Sequence, residues 1–204
     1  EVRARSGKVL MRIEGPALCT HFGLSGPAPM DISRYLHGAR ADDPSVSLVV
    51  NWLPDGTFES LDRALTTLGK RTALGFLRDH LPERLARALC DEAGVAPETS
   101  GAQLTKDSRR ALVRAVTEMI IPVTGDRGWS AAEVTAGGVP LDEVDLKTME
   151  SKITPGLHIC GEVLDVDGRI GGYNFQWAWA SGFVAGLSAG GAAAGCAGED
   201  AAND

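Results

Sequence analysis

The segment from Gly156 to Gly182, GLHICGEVLDVDGRIGGYNFQWAWASG, constrains this chain more than any other part of it. A short apolar run, Leu157 to Cys160, reads as a strand that stops at Gly161-Glu162. A glycine-rich turn follows, with Gly168, Gly171 and Gly172. Beyond it runs a helical stretch whose small residues recur at Ala178, Ser181, Gly182 and Gly186. A strand that ends at a carboxylate, then a loop, then a closely packed helix suits a bound nucleotide cofactor. The carboxylate can accept hydrogen bonds from sugar hydroxyls, and the helix N-terminus offers free N–H groups and a partial positive charge.

Within this segment the residues divide by chemistry. Gly171 and Gly172 lack the β-carbons that would keep a flat ring away from the backbone; an ordinary glycine turn is the plainer alternative. Asn174 sits where an N-cap would turn amide N–H groups toward a ligand. Asp165 and Asp167 could hold water or pyrophosphate-linked groups, and Asp165 is the better placed, because a solvated acidic turn accounts for Asp167 equally well. Trp177 and Trp179 are two apart, so a helix points them to different sides, and packing is the simpler role for both.

At 204 residues the chain has room for one large domain or two small ones. Its net charge of −7 argues against general nucleic-acid binding, which needs a basic face. Cys19, Cys90, Cys160 and Cys196 are scattered with no Cys-x-x-Cys pair. A disulfide framework or zinc site is therefore not indicated, and reduced thiols in the cytoplasm are expected. No apolar run approaches the ~20 residues that span a bilayer. The partner expected is a small-molecule substrate, with no nucleic acid and no membrane; the sequence leaves the oligomeric state open.

Along the chain, Val2 to Ile13 reads as extended with a hairpin turn at Ser6-Gly7. Ser25-Gly26-Pro27 reads as a helix start, with Ser25 as the cap and Gly38 as the stop. Val46 to Leu53 reads as a strand. From there the apolar period is helical: Leu61, Leu65 and Leu68; then Leu74, Leu77 and Leu81; then a helix opened by Pro82 and stopped by Gly94; then Leu104 to Ile121, with Thr105 as a cap. Trp129 to Thr135 returns to strand. The arginines at 78, 84, 87, 109, 110 and 114 fall mostly on outer helix faces, which are solvated or open to an acidic partner. After Leu187 the chain turns Gly/Ala-rich and then acidic, and 191–204 is expected to be a disordered tail.

Several ordered blocks resemble the BaiN-like NAD(P)/FAD-dependent oxidoreductases, the family that includes aminoacetone oxidase. Leu18-Cys19-Thr20-His21-Phe22-Gly23-Leu24-Ser25-Gly26-Pro27-Ala28 is similar to that family's Phe-Thr-His-x-Gly-Leu-Ser-Gly-Pro-Ala block. Ala132 to Val139, Thr148 to Lys152 and the Gly156–Gly182 segment match further blocks, in order. The family's opening Gly-x-Gly-x-x-Gly motif, which binds the FAD pyrophosphate, has no counterpart here. The resemblance therefore implies the C-terminal part of an α/β, Rossmann-like FAD/NAD(P)-binding flavoprotein. It implies a β-rich insert over 1–58 and 124–140, a helical insert over 59–123, and the last strand, loop and helix of the FAD domain over 141–190.

The same resemblance implies FAD as cofactor, held by Gly161, Glu162, Asp165, Gly171, Gly172, Tyr173, Asn174 and Phe175. Glu162 stands where related flavoproteins place an Asp that accepts a bond from a ribityl hydroxyl. His21, inside the first block, could donate a proton to substrate or could be a structural histidine. Hydride transfer between NAD(P)H, FAD and a small organic substrate is the implied reaction of the intact protein, with the fragment alone inactive. The alternatives are an oxidase that passes electrons to O₂ and an inactive binding module.

Overall fold

The computed structural model describes residues 1–200, with side chains through residue 191. Its contacts divide into two compact units. The first comprises Glu1–Leu24 and Ile32–Thr124; the second comprises Ser25–Asp31 and the chain from Gly125 onward. The β strands near the start and the helices of 59–123 thus share one unit, whereas 125–140 group with the C-terminal segment.

In the first unit, Val2–Arg3 (β1) and Val9–Met11 (β2) pair antiparallel. Their turn is the one expected: Ala4 N–H donates to Lys8 O (2.9 Å), and Gly7 takes φ +84°, which suits a residue without a β-carbon. Leu18–Thr20 (β3) and Gly23–Ser25 (β4) form a small separate hairpin. Pro27–Asp42 (α1) follows. Ser47–Val50 (β5) pairs with β1, and Met119–Ile121 (β6) pairs with β5, completing an antiparallel sheet in the order β2-β1-β5-β6. Ile32 and Leu36 of α1 are buried with Val2, Val46 and Leu48.

Two expectations for α1 do not hold. Ser25 ends β4 rather than capping the helix; Met30 N–H donates to Gly26 O (3.0 Å), and Gly26 at φ +90° makes the entry turn. Gly38 does not stop the helix. A glycine inside a helix costs about 1 kcal/mol relative to alanine, and tertiary bonds offset that here. Arg40, one turn from the end, donates through Nε to Val46 O (3.0 Å) and through Nη1 to Val123 O (2.9 Å).

The helical part follows its apolar period. Phe58–Thr66 (α2) is capped by Thr57 and Ser60, Ala73–Leu77 (α3) by Thr72, and Lys106–Thr117 (α5) by Thr105, whose Oγ1 accepts from Ser108 N–H (3.1 Å). Glu83–Glu92 (α4) starts after Pro82 and gives way to Gly94 at φ +64°. Leu61, Leu65, Leu77, Leu89, Leu112 and Val116 fill their shared core. The helix does not reach Ile121 as its pattern suggests. The chain leaves it after Thr117, and Met119, Ile120 and Ile121 pair with Val50, Val49 and Leu48. Pairing with an open strand edge outweighs a continued helical period for β-branched residues.

In the second unit, Val144–Asp145 (β7) and Glu150–Ser151 (β8) form a hairpin, and Tyr173–Asp200 (α6) is the long final helix. Trp129 to Thr135 is not a strand. Trp129–Ala131 is a single 3₁₀ turn, and Trp129 is 82% exposed, with no ladder to hold it extended. Leu157 to Cys160 makes only a bridge of His158 to Glu150, with Ser151 N–H donating to Leu157 O (2.7 Å) and Ile159 N–H to Met149 O (2.9 Å). The expected tail, 191–204, lies almost wholly outside the residues described with side chains, although α6 extends to Asp200. Among the described residues no helix is long and apolar enough to cross a membrane.

Leu89 is fully buried, and truncation should leave a cavity among α2, α4 and α5. Leu89→Ala is expected to cost about 2–5 kcal/mol in urea denaturation. Arg84→Ala on the exposed side of the same helix should stay within about 0.5 kcal/mol.

Candidate functional site

The sequence-predicted residues from Gly161 to Phe175 all fall in the second unit, and backbone hydrogen bonds organise them. Gly161 is the anchor. Its N–H donates to Ser181 Oγ (3.0 Å), while its carbonyl accepts from Trp177 Nε1 (3.2 Å), so a single residue is gripped twice by α6. Ser181 Oγ in turn donates to Trp177 O (2.7 Å) and is buried. This geometry needs a small residue at 181. It also gives Trp177 its half-buried packing role, while Trp179 lies 68% exposed and stacks on Phe175, ring centroids 6.0 Å apart.

Gly161–Val163 forms a 3₁₀ turn, so Glu162 sits on a turn rather than at the end of a strand. The extended stretch after it runs parallel to 137–139. Val139 N–H donates to Val163 O (2.8 Å), and Asp165 N–H donates to Val139 O (2.9 Å). The two candidate carboxylates face the same loop. Asp165 Oδ1 accepts from Gly137 N–H (2.9 Å), and Glu162 Oε1 accepts from Thr135 N–H at a longer 3.3 Å. Together they bind two amides of one loop, those of Thr135 and Gly137, in a stretch that the sequence marked only as part of a family-like block. The Gly137-Gly138 pair was the available signal. A β-carbon on Gly138 would lie 2.4 Å from Val163 O, so the two backbones can approach only because that residue is glycine.

The next loop is closed by Asn174. Its Oδ1 accepts from Gly168 N–H (2.7 Å) and its Nδ2 donates to Gly168 O (3.1 Å). Asn174 is therefore not the N-cap. The helix begins at Tyr173, and Gln176 N–H donates to Gly172 O (3.0 Å), which puts Gly172 at the cap. Gly171 (φ +124°) and Gly172 (φ +91°) both adopt conformations that favour glycine. Space beside them is open: nothing lies within 4 Å of a β-carbon on Gly172, and only the Tyr173 ring approaches one on Gly171. Ile170 N–H donates to Asp31 Oδ1 (2.8 Å), a residue with no sequence signal for this role. Tyr173 and Phe175 are 63% and 66% exposed. The first N–H groups of α6 have no carbonyl one turn earlier to receive them.

His21 is not among these residues. It occupies the exposed tip of the β3–β4 hairpin in the first unit, edge-on to Phe22, where Thr20 Oγ1 donates to Gly23 O (2.8 Å). Cys19 and Cys160 are free and exposed; Cys90 is buried, and burial raises its thiol pKa, which makes it a packing residue. Among the described residues no group of His, Cys, Asp and Glu is arranged to hold a metal ion.

Residues 51–188 match the HI0933-like protein Rossmann domain, and the chain belongs to that family. Among curated proteins it is 40% identical over 165 residues to the ribosomal RNA dihydrouridine synthase of Escherichia coli, covering 80% of this chain and 40% of that protein. It is 37% identical over 172 residues to the protein of the same description from Haemophilus influenzae, covering 84% and 41%. It is 32% identical over 186 residues to the 3-dehydro-bile acid delta(4,6)-reductase of Clostridium scindens, covering 89% and 46%. The chain thus spans less than half the length of these relatives.

If Gly138 sets the approach of the two backbones, Gly138→Ala should part them. Amide hydrogen exchange at Val139 and Asp165, both donors across the pair, is expected to rise at least tenfold (about 1.4 kcal/mol or more of local opening). Gly125→Ala, where a β-carbon meets open space, should leave both amides protected.

Proposed function

We propose that the intact protein is an FAD-dependent oxidoreductase that adds two hydrogens across an activated carbon–carbon double bond. The observation that carries this reading is the glycine-capped start of α6. Its backbone is open at Gly171 and Gly172, and it lies inside the matched Rossmann segment. The residues present fit a flavin. Two glycines leave room for a flat ring, the first-turn N–H groups supply partial positive charge, and Glu162 is exposed with one carboxylate oxygen engaged only by the long bond from Thr135. When bound, FAD supplies hydride transfer between a nicotinamide donor and the acceptor.

The chain's own contribution is positioning and charge. Asn174 and Asp31 fix the loop ahead of the helix, so the N–H groups of its first turn are pre-oriented toward a ligand edge that gains negative charge. Gly172, which has no β-carbon and open space beside it, would let that edge approach them. Glu162 would accept a hydrogen bond from a sugar hydroxyl of the bound cofactor. NAD(P)H as donor and a cytoplasmic location complete the reading.

The relatives' descriptions support the choice of reaction. Making dihydrouridine and reducing a Δ4,6 bile acid are both saturations of a conjugated double bond. The acceptor is a small conjugated molecule, as the net charge suggests, or a uracil base in RNA, as two of the descriptions suggest.

Turnover of the full-length protein with NADPH in air-saturated buffer tests this. A mass gain of two hydrogens in a conjugated acceptor, with no H₂O₂, is expected. Stoichiometric H₂O₂ without nicotinamide consumption would replace it with an oxidase. Glu162→Ala should weaken FAD binding about tenfold, the loss of a charge-assisted bond of roughly 1.5–3 kcal/mol; equal affinity removes Glu162 from the site. Gly172→Val should lower both FAD occupancy and the midpoint potential of the flavin that remains, read by spectroelectrochemistry. An unmoved potential leaves Gly172 as turn chemistry.

A further inference from the structure

The first unit carries a charged surface that the cofactor site does not use. On α5, Lys106, Arg110 and Arg114 are spaced four apart and all exposed, forming a stripe about 12 Å long at the 1.5 Å rise of a helix. Arg63 of α2 is exposed beside them, and a groove of about 500 Å³ between α2 and α5 is lined by Arg63, Lys106, Arg109 and Arg110. Arg109 is different from the rest. It donates to Asp62 Oδ1 (2.8 Å), which neutralises that groove carboxylate and ties α5 to α2.

The remaining cations have no such neutralisation. Among the described residues Arg63, Lys106, Arg110 and Arg114 take part in no ion pair, and Glu59 is the sole further carboxylate on the groove. Elsewhere on the helical part, Arg71 pairs with Asp79, and both Arg78 and Arg87 pair with Glu83. Lys70 and Arg84 are likewise without an ion pair among the described residues, but four such cations lie together on the α2 and α5 face of a chain whose total charge is negative. An aromatic ring is part of that face: the Arg110 guanidinium lies over Phe58, 5.7 Å from the ring centroid. A flat cation held on a ring leaves its other side available for stacking.

We propose that the α2–α5 face binds the phosphate backbone of RNA, with Arg63, Lys106, Arg110 and Arg114 on phosphates and Arg110 also stacking on a base. Cations in a row track a polyphosphate, and a guanidinium–aromatic pair adds the stacking platform that an acidic protein partner would not use. The net charge of the whole chain excludes a generally basic surface but not this local one. The proposal rests on the RNA branch of the function proposed above.

Fluorescence anisotropy with a fluorescein-labelled single-stranded RNA tests it on this chain without cofactor. The triple variant Arg63→Gln, Lys106→Gln, Arg110→Gln should bind at least about tenfold more weakly, and the slope of log affinity against log salt should fall by about 2, near 0.7 per lost contact. Arg84→Gln, an exposed arginine off this face, should match wild type. Circular dichroism checks that the triple variant is folded; if it is not, the single Arg110→Gln variant should show a smaller loss in the same direction. Unchanged RNA affinity and salt slope in a folded variant overturn the proposal, as does equal competition by polyglutamate, which would assign the face to acidic proteins.

The two proposals can fail separately. Uracil reduction by the full-length protein with an unchanged KM for RNA in the triple variant overturns the surface alone. Patch-dependent RNA binding without uracil reduction supports the surface and overturns only the assigned reaction.

Discussion

The close parallel approach of Gly137–Val139 to Val163–Asp165 is the contact on which the second unit depends. It exists because residue 138 has no β-carbon; with one, the chains would meet at 2.4 Å. Once they are side by side, two backbone bonds join them, and the carboxylates of Glu162 and Asp165 each accept from an amide of the loop. Each of these bonds is worth about 1 kcal/mol net. Their combined effect is to hold a loop without regular structure in one shape. Leu164, completely buried between them, joins Val144, Met149 and Ala185 in the core of the unit.

From that contact the arrangement propagates to α6 through Gly161, which is bonded on both sides by residues one helical turn apart. Trp177 and Ser181 are i and i+4, so they share a face and reach the same peptide. The result is a rigid link between the 3₁₀ turn carrying Glu162 and the helix whose start is capped by Gly172. Asn174 and Asp31 then fix the loop between them. A ligand at such a site would meet amides and carboxylates already oriented, which lowers the entropy cost of binding. Met149, the one non-glycine described at positive φ, is held in that conformation by its burial and by donation to Asp145 O (2.6 Å).

The helical part of the first unit shows the opposite balance, with local signals sufficient almost throughout. Thr57, Thr72 and Thr105 cap their helices, Gly94 ends one, and leucines at helical spacing fill the core. The exceptions lie where a partner segment competes. Met119 to Ile121 joins a strand edge, and α1 runs through Gly38 because Arg40 finds carbonyls at Val46 and Val123. A periodicity read along the chain contains no information about acceptors eighty residues away.

The sequence by itself determined the helices of 58–117, the turn at Gly7, the family, and the segment in which the candidate site lies, because caps, glycines and apolar spacing act over a few residues. It also marked Gly161, Glu162, Asp165, Gly171, Gly172 and Asn174 as residues to watch. What each of them does was decided only by the tertiary structure. Asn174 folds back onto Gly168 instead of capping, the carboxylates bind the Thr135–Gly138 loop, and Ser181 and Asp31 enter as supports. His21 belongs to an exposed hairpin in the other unit. The reason is physical: a hydrogen bond is settled by which donor and acceptor meet in space, and sequence separations of 27, 28 or 139 leave no trace of that meeting in local pattern.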